Sequence, residues 1–370
     1  MPFLVRSTLF AGILFAWACS APPARSESGD AEVVLHALAD FPVGVAVPAD
    51  PWENSLLQSP ERQSIVIRHF DSITAENAMK MAYLHPSPDY FEFEHAEALV
   101  EFAEENGIAV HGHALVWHRQ APDWMNQYEG SPADFLEVLE EHVSVVTSRF
   151  AGRIRSWDVV NEAFDDEDPP GYRDTVWFRA LGPDYIEAAF RAAHEADPTT
   201  DLYYNDYNLS GIDGGAKLDR VLEMVDDFLA RGVPIDGIGF QMHIGIDAPS
   251  DQAIRDAFAQ VVRRGLKVRI SELDISVNDD ARYDALPPEM AARQASRFAE
   301  VARAYVETVP PNLRGGLTVW GITDGDSWIP DFRQRADWPL LFNADFSPKP
   351  ALQGLASGLA GKSAGAERSD

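Results

Sequence analysis

Eight short runs of apolar and β-branched residues recur along the chain, separated by helix-like stretches. This alternation limits the fold more than any other feature. The runs are "FPVGVAV" (41–47), "FDSITA" (70–75), "IAVHGHAL" (108–115), "IRSWDVVN" (154–161), "DLYYN" (201–205), "GIGFQ" (237–241), "KVRIS" (267–271) and "GGLTVW" (315–320). Between them, "EFEHAEALVEFAEENG" (92–107) carries Leu99, Phe102 and Ala103 on one helical face and ends in Gly107, a C-cap signal. "SPADFLEVLEEHVSVVTSRF" (131–150) opens with Ser131 as N-cap and Pro132 at the first helical position. The stretches 214–232 and 289–309 read the same way. Strands that read as apolar on both faces are expected to be parallel and covered by helices. Eight such units predict an α/β fold, a (β/α)8 TIM barrel forming a single catalytic domain. The alternative is an open doubly wound sheet, but "GVAVPADPW" (44–52) lacks the G-x-G-x-x-G spacing of its phosphate loop.

In such a barrel, chemistry sits at the C-terminal ends of the strands. The second strand delivers Glu76, Asn77 and Lys80 in "TAENAMK", and the third His111, His113, Trp117 and His118 in "HGHALVWH". The fourth delivers Asn161 and Glu162, and the fifth Asn205, Asp206, Tyr207 and Asn208. Gln241 and His243 follow the sixth, and Glu272 and Asp274 the seventh. The eighth leads into Trp320, Asp324, Asp326 and Trp328. A barrel built for stability alone has no use for so many polar and aromatic groups on one rim.

Glu162 and Glu272 each directly follow an apolar strand. Two carboxyls facing each other across a barrel mouth are the equipment for cleaving a glycosidic bond, and a separation of about 5–5.5 Å gives retention of configuration. Trp117, Trp320 and Trp328 offer faces for the C–H side of sugar rings, while Asn, Gln, His and Lys suit the hydroxyls. Other chemistries fit less well. His111, His113 and His118 look like metal ligands, but no carboxylate or Cys stands at a spacing that completes a site. "DYNLSGIDGGAK" (206–217) begins like a calcium loop, yet Lys217 stands where such a loop needs Glu. No G-x-S-x-G elbow for acyl transfer is present.

The chain holds 59 acidic against 30 basic side chains, a formal charge of −29, which argues against a nucleic-acid partner. After Arg6, the apolar run Leu9–Ala18 is too short for a bilayer span and suits a signal peptide. Cys19, the only cysteine, follows it directly, so no intramolecular disulfide can form. Its place is similar to that of the lipid-acceptor cysteine of a bacterial lipoprotein, although Ala16-Trp17-Ala18 lacks the usual Leu. Cleavage near Ala18 or Ala24 is the alternative. The expected organisation is signal peptide 1–18, flexible tether 19–31 with Cys19 as lipidation site, barrel 32–361 and polar tail 362–370. The expected location is outside the inner membrane: an outer-membrane or cell-surface lipoprotein, or a secreted or periplasmic protein. Membrane contact would run only through the lipid anchor, and the expected state is a monomer.

The motifs "TAENAMK", "HGHALVWH", "WDVVNEAF", "YYNDYN", "GIGFQMH", "SELDI" and "TVWGITDGDSW", followed by "PLLFNADFSPKPA" (339–351), resemble glycoside hydrolase family 10, the endo-β-1,4-xylanases. The resemblance runs from about Phe41 to Leu359. It implies retaining cleavage of xylan and xylo-oligosaccharides with no cofactor. It further implies Glu272 as nucleophile, Glu162 as acid/base and Asn161 on the sugar 2-hydroxyl. His243 would orient Glu272, and Asp274 would hold the tautomer of His243. His113, Trp117 and Gln241 would line the same sugar site; Glu76, Asn77 and Lys80 would bind the next sugar toward the non-reducing end. Tyr207 would border the site, and Trp320 and Trp328 would wall it, leaving little room for the hydroxymethyl group of a hexose. Ser271 stands where the family usually has Thr, and the loop 326–340 is variable. A β-1,4-glucanase on the same scaffold and a surface protein that binds xylan without cutting are the rival readings. Retention of both glutamates weighs against the second.

Overall fold

A computed structural model describes residues 33–49 and 55–361. The expected signal peptide, Cys19, the tether and the tail from 362 lie outside the described residues. Among the described residues there are nine strands: β1 (Val43–Val47), β2 (Ser72–Ala75), β3 (Ala109–Val116), β4 (Ser156–Asn161), β5 (Asp201–Asp206), β6 (Gly237–Phe240), β7 (His243–Gly245), β8 (Lys267–Ser276) and β9 (Arg314–Val319). The order β6-β5-β4-β3-β2-β1-β9-β8 is closed by a β6–β8 pairing, so eight parallel strands form a ring and the open sheet is excluded. The short β7 pairs only with the far end of β8. Among the described residues, no helix is long and apolar enough to cross a membrane.

The helices begin and end where local chemistry dictates. Ser131 Oγ accepts from the Asp134 N–H, capping the helix Pro132–Arg149. Gly107 takes φ 67° to end the helix Glu94–Asn106, a conformation glycine adopts without steric cost.

The strands are not apolar on both faces, contrary to expectation. Val43, Val45, Val47, Ile73, Trp157, Val159, Ile238, Val268 and Leu317 are buried in the core. The inner face is polar instead: Thr74, His111, Asp158, Tyr203, Asn205, Arg269 and Thr318 are fully buried. Arg269 fills the barrel, donating to Gly315 O at 3.0 Å and Thr318 Oγ1 at 2.7 Å. Buried polar groups persist only when hydrogen-bonded, so this interior is a network rather than an oil drop. Glycines make room for it: a Cβ on Gly239 would lie 2.2 Å from Asn205 Oδ1.

The seventh barrel strand also differs. It was expected to end at residue 271, before Glu272. It runs on to Ser276, because β7 extends the ladder by pairing His243 with Asp274 and Gly245 with Ser276. Glu272 and Asp274 therefore sit inside a strand, held by backbone pairing on both sides of the barrel rim.

Candidate active site

Two register shifts aim the site residues inward. In β4, Ser156 and Asp158 point into the barrel, and strict alternation would turn Asn161 outward. An extra residue between Asp158 and Val160 resets the register, so Asn161 lies opposite Asn205. In β8, a shift between Ile270 and Leu273 moves the inward set from Arg269 and Ser271 to Glu272 and Asp274. Glu162 then ends β4 with φ 57°, a left-handed conformation that costs a non-glycine residue about 1–3 kcal/mol and clusters at functional positions. Its backbone is held from both sides: its N–H donates to Asn205 O at 2.9 Å, and Arg173 Nε donates to its carbonyl at 3.0 Å.

The Glu272 carboxylate is buried and fully engaged. Oε1 accepts from Asn205 Nδ2 at 2.7 Å, and Oε2 lies 3.2 Å from His243 Nε2. Asp274 Oδ2 lies 2.8 Å from His243 Nδ1 and accepts from Trp328 Nε1 at 2.9 Å. Burial pushes the imidazole pKa down, but Asp274 and Glu272 together outweigh it and raise it to about 10. His243 is thus a cation at neutral pH. Asp274, at Nδ1, fixes the orientation of the ring that presents Nε2 to Glu272. Burial also pushes Glu272 up, yet His113 and His243 pull it below its ordinary value. The carboxylate is kept ionised in a place where burial alone would protonate it.

Glu162 sits in a different setting. Its Oε1 accepts from Gln241 Nε2 at 3.0 Å, and its Oε2 is 3.9 Å from His118 Nδ1. The two glutamates share one hydrogen-bond frame. Asn161 Oδ1 accepts from Asn205 Nδ2 at 2.9 Å, the group that holds Glu272, and from Gln241 Nε2 at 3.2 Å, the group that holds Glu162. With its amide turned over, Asn161 accepts from Trp117 Nε1 at 3.2 Å instead.

Around this frame opens a cleft of about 420 Å³. Glu76, Asn77, Lys80, His113, Trp117, Asn161, Glu162, Tyr207, Gln241, His243, Glu272, Trp320 and Trp328 all line it, so every expected substrate residue converges here. Asp274 lies behind His243, lining an adjoining hollow. Lys80 Nζ donates to Asn77 Oδ1 at 3.2 Å and Gln120 Oε1 at 2.8 Å, and stands 4.8 Å over the Trp117 ring. His113 meets Trp320 edge-on at 5.2 Å.

Several contributors escaped the sequence reading. Asp158 lies under the site, with Oδ2 2.9 Å from His113 Nδ1 and 3.1 Å from His111 Nε2. Burial would raise its pKa, but the two imidazoles hold it well below the ordinary range. A lone acid inside an apolar run was the available signal. Asn205, which ties the two glutamates together, was visible only as one polar residue among four. Arg173 had no signal at all. The calcium-like stretch has another use: the buried Lys217 Nζ pairs with Asp206 at 2.9 Å and Asp166 at 3.1 Å, so an internal ammonium supplies the positive charge. His113, Asp158 and Glu272 bring one donor atom each within 4.8 Å of one another. His113 Nδ1, Asp158 Oδ2 and both Glu272 oxygens are engaged in the contacts above, while the buried Asp158 Oδ1 has no hydrogen-bond partner.

A closed parallel barrel with two carboxyls held together at its C-terminal mouth, in a cleft lined by three indoles, defines the glycoside-hydrolase class of barrel. The chain belongs to glycosyl hydrolase family 10, whose profile matches residues 34–358. It is 45% identical over 354 residues to endo-1,4-beta-xylanase A of Cellvibrio japonicus, covering 89% of this chain and 57% of that protein. It is 42% identical to endo-beta-1,4-xylanase Xyn10C of the same organism, covering 87% of this chain and 56% of that protein. The chain therefore spans a little over half the length of these curated relatives. Native xylanase10C from Cellvibrio japonicus superposes with a TM-score of 0.86 at 42% identity, covering 89% of this chain and 73% of that one. A mutant of the same enzyme in complex with xylopentaose gives 0.86 at 41% identity, covering 89% and 69%.

Proposed function

We propose that the protein is an endo-1,4-β-xylanase that hydrolyses internal bonds of xylan by a retaining double displacement. The observation that carries this reading is that Asn205 holds both glutamates at one cleft: its Nδ2 donates to the Glu272 carboxylate and its carbonyl accepts from the Glu162 N–H, while Gln241 Nε2 donates to the Glu162 carboxylate. The xylan-directed names of the relatives support the choice of polymer.

In the first step Glu272 attacks the anomeric carbon while Glu162 gives its proton to the departing glycosidic oxygen. The C–O bond to the leaving chain breaks and an ester to Glu272 forms. In the second step Glu162 takes a proton from water, the hydroxide attacks the same carbon, and Glu272 leaves as carboxylate. His113 and His243 favour the ionised Glu272 that attacks in the first step and the carboxylate that leaves in the second. Asn161 binds the 2-hydroxyl of the sugar being cleaved, with His113, Trp117 and Gln241 around that ring. Glu76, Asn77 and Lys80 bind the next sugar, Tyr207 borders the site, and Trp320 and Trp328 exclude a hydroxymethyl group.

Glu272→Ala is expected to lose nearly all turnover and to regain part of it with azide, giving a glycosyl azide of inverted configuration. Undiminished hydrolysis in that variant would overturn the assignment. Rates on xylan and carboxymethylcellulose separate a xylanase from a glucanase. We further propose export and anchoring through Cys19; palmitate incorporation that survives Cys19→Ala would remove the anchor.

A further inference from the structure

The loop after β9 carries a short helix, Ile329–Arg333, whose end overhangs the cleft. Phe332 is 55% exposed, unusual for a phenylalanine, and lies 5.0 Å from Trp328. Together the two rings form a shelf running outward from the site. Arg333 rests over the Phe332 ring at 5.5 Å. It lines both the cleft and the adjoining hollow of about 490 Å³, a hollow that none of Glu76, Asn77 or Lys80 touches. Trp328, His243 and Asn208 are shared by the two spaces as well, so the hollow continues the cleft away from the Lys80 side.

The charges in that hollow are matched with one exception. Arg282 pairs with Asp280 at 2.5 Å, Arg293 with Asp247 at 2.5 Å and Arg335 with Asp279 at 2.6 Å. Asp274 is matched by His243. Among the described residues, Arg333 has neither a carboxylate partner nor a hydrogen bond; its one contact is the Phe332 ring. In a chain with a formal charge of −29, carboxylates are abundant, so the cleft arginines without one, Arg119 and Arg333, stand out, and of these two only Arg333 also lines the hollow. The same net charge repels an anionic polymer, and a local surplus of positive charge is what such a polymer needs in order to dock.

We propose that Phe332 and Arg333 form a subsite for a uronic acid substituent on the xylan chain, on the side away from Lys80. The apolar face of Phe332 takes the sugar ring, and the guanidinium fork takes the planar carboxylate in two parallel hydrogen bonds. The choice of a carboxylate follows from that fork and from the neighbouring ring face, which together suit a flat anion attached to a sugar. This inference rests on the xylanase reading above and adds a substrate preference to it.

The test compares kcat/KM on glucuronoxylan, on the same polymer with its uronates reduced to neutral sugars, and on undecorated xylan. Wild type is expected to prefer glucuronoxylan over its reduced form by roughly five-fold at low salt, with the preference shrinking at high salt, as for a solvent-exposed charge pair. Arg333→Ala is expected to abolish the preference, Arg333→Glu to reverse it and Arg333→Lys to keep part of it. Equal rates of wild type on charged and reduced polymer, or a preference that survives Arg333→Ala, would overturn the subsite while leaving the xylanase reading intact. Failure of wild type to cut undecorated xylan would instead bring down the xylanase reading and the subsite with it.

Discussion

Replacing His243 by Gln tests the electrostatic design of the site most directly. The imidazolium lies 3.2 Å from Glu272 and 2.8 Å from Asp274. A unit charge at 3.2 Å is worth about 5 kcal/mol at an effective dielectric of about 20, nearly 4 pKa units. That is an upper bound, because Asp274 shares the same cation. The sign is fixed by what remains: burial, the largest influence on Glu272, raises its pKa once the cation is gone. Glu272 must be ionised to attack, so the acid limb of the kcat/KM profile is expected to move to higher pH in His243→Gln. Activity at pH 5 then falls by a larger factor than activity at pH 8. The assay is reducing-sugar release from soluble xylan between pH 4 and 9 at constant ionic strength. A loss by the same factor at every pH would refute the reasoning, since it would mean that His243 acts by shape alone.

The same residue affects stability at high pH. A histidine raised from 6.5 to about 10 on folding stabilises the protein fully below pH 6.5, and that contribution fades as pH climbs through 10. Urea unfolding should show wild type losing up to about 4 kcal/mol between pH 7 and 10, with a flatter curve in His243→Gln. Lys217→Met leaves Asp206 buried without its ammonium, at an expected cost of about 3–5 kcal/mol, eased where Asp206, already pushed up to about 6 chiefly by burial, takes a proton. An unfolding midpoint unchanged from wild type would contradict that pairing. Gly112→Ala puts a methyl 2.0 Å from the Trp157 ring, so the melting temperature should drop by the equivalent of about 1–3 kcal/mol; an unshifted melt would show that the indole can move aside.

The barrel was legible because its signals are local. Periods of 2 and 3.6, Ser131 and Pro132 at a helix start and Gly107 at a helix end each act over a few residues, so each can be read from a short window. The rim was legible for the same reason, since a strand end is followed at once by the residues it presents. Phe164, which the sequence marks only as a packing residue, is core, stacked on Tyr172 at 4.7 Å.

What the chain order could not reveal was which side of each strand is polar and where the side-chain alternation breaks. Both bulges, in β4 and β8, depend on neighbouring strands that set the register, and each bulge turns a glutamate or asparagine toward the mouth. The charge of the site is more distant still. Glu272 stays ionised because Asn205, His243 and His113, from three separate parts of the chain, meet around it. Hydrogen bonds need contact within about 3 Å and screened charges act over about 10 Å, so both depend on which segments the assembled barrel brings together. The sequence alone determined the barrel and the identity of its rim residues. The tertiary structure decided which of them face one another and which carry charge.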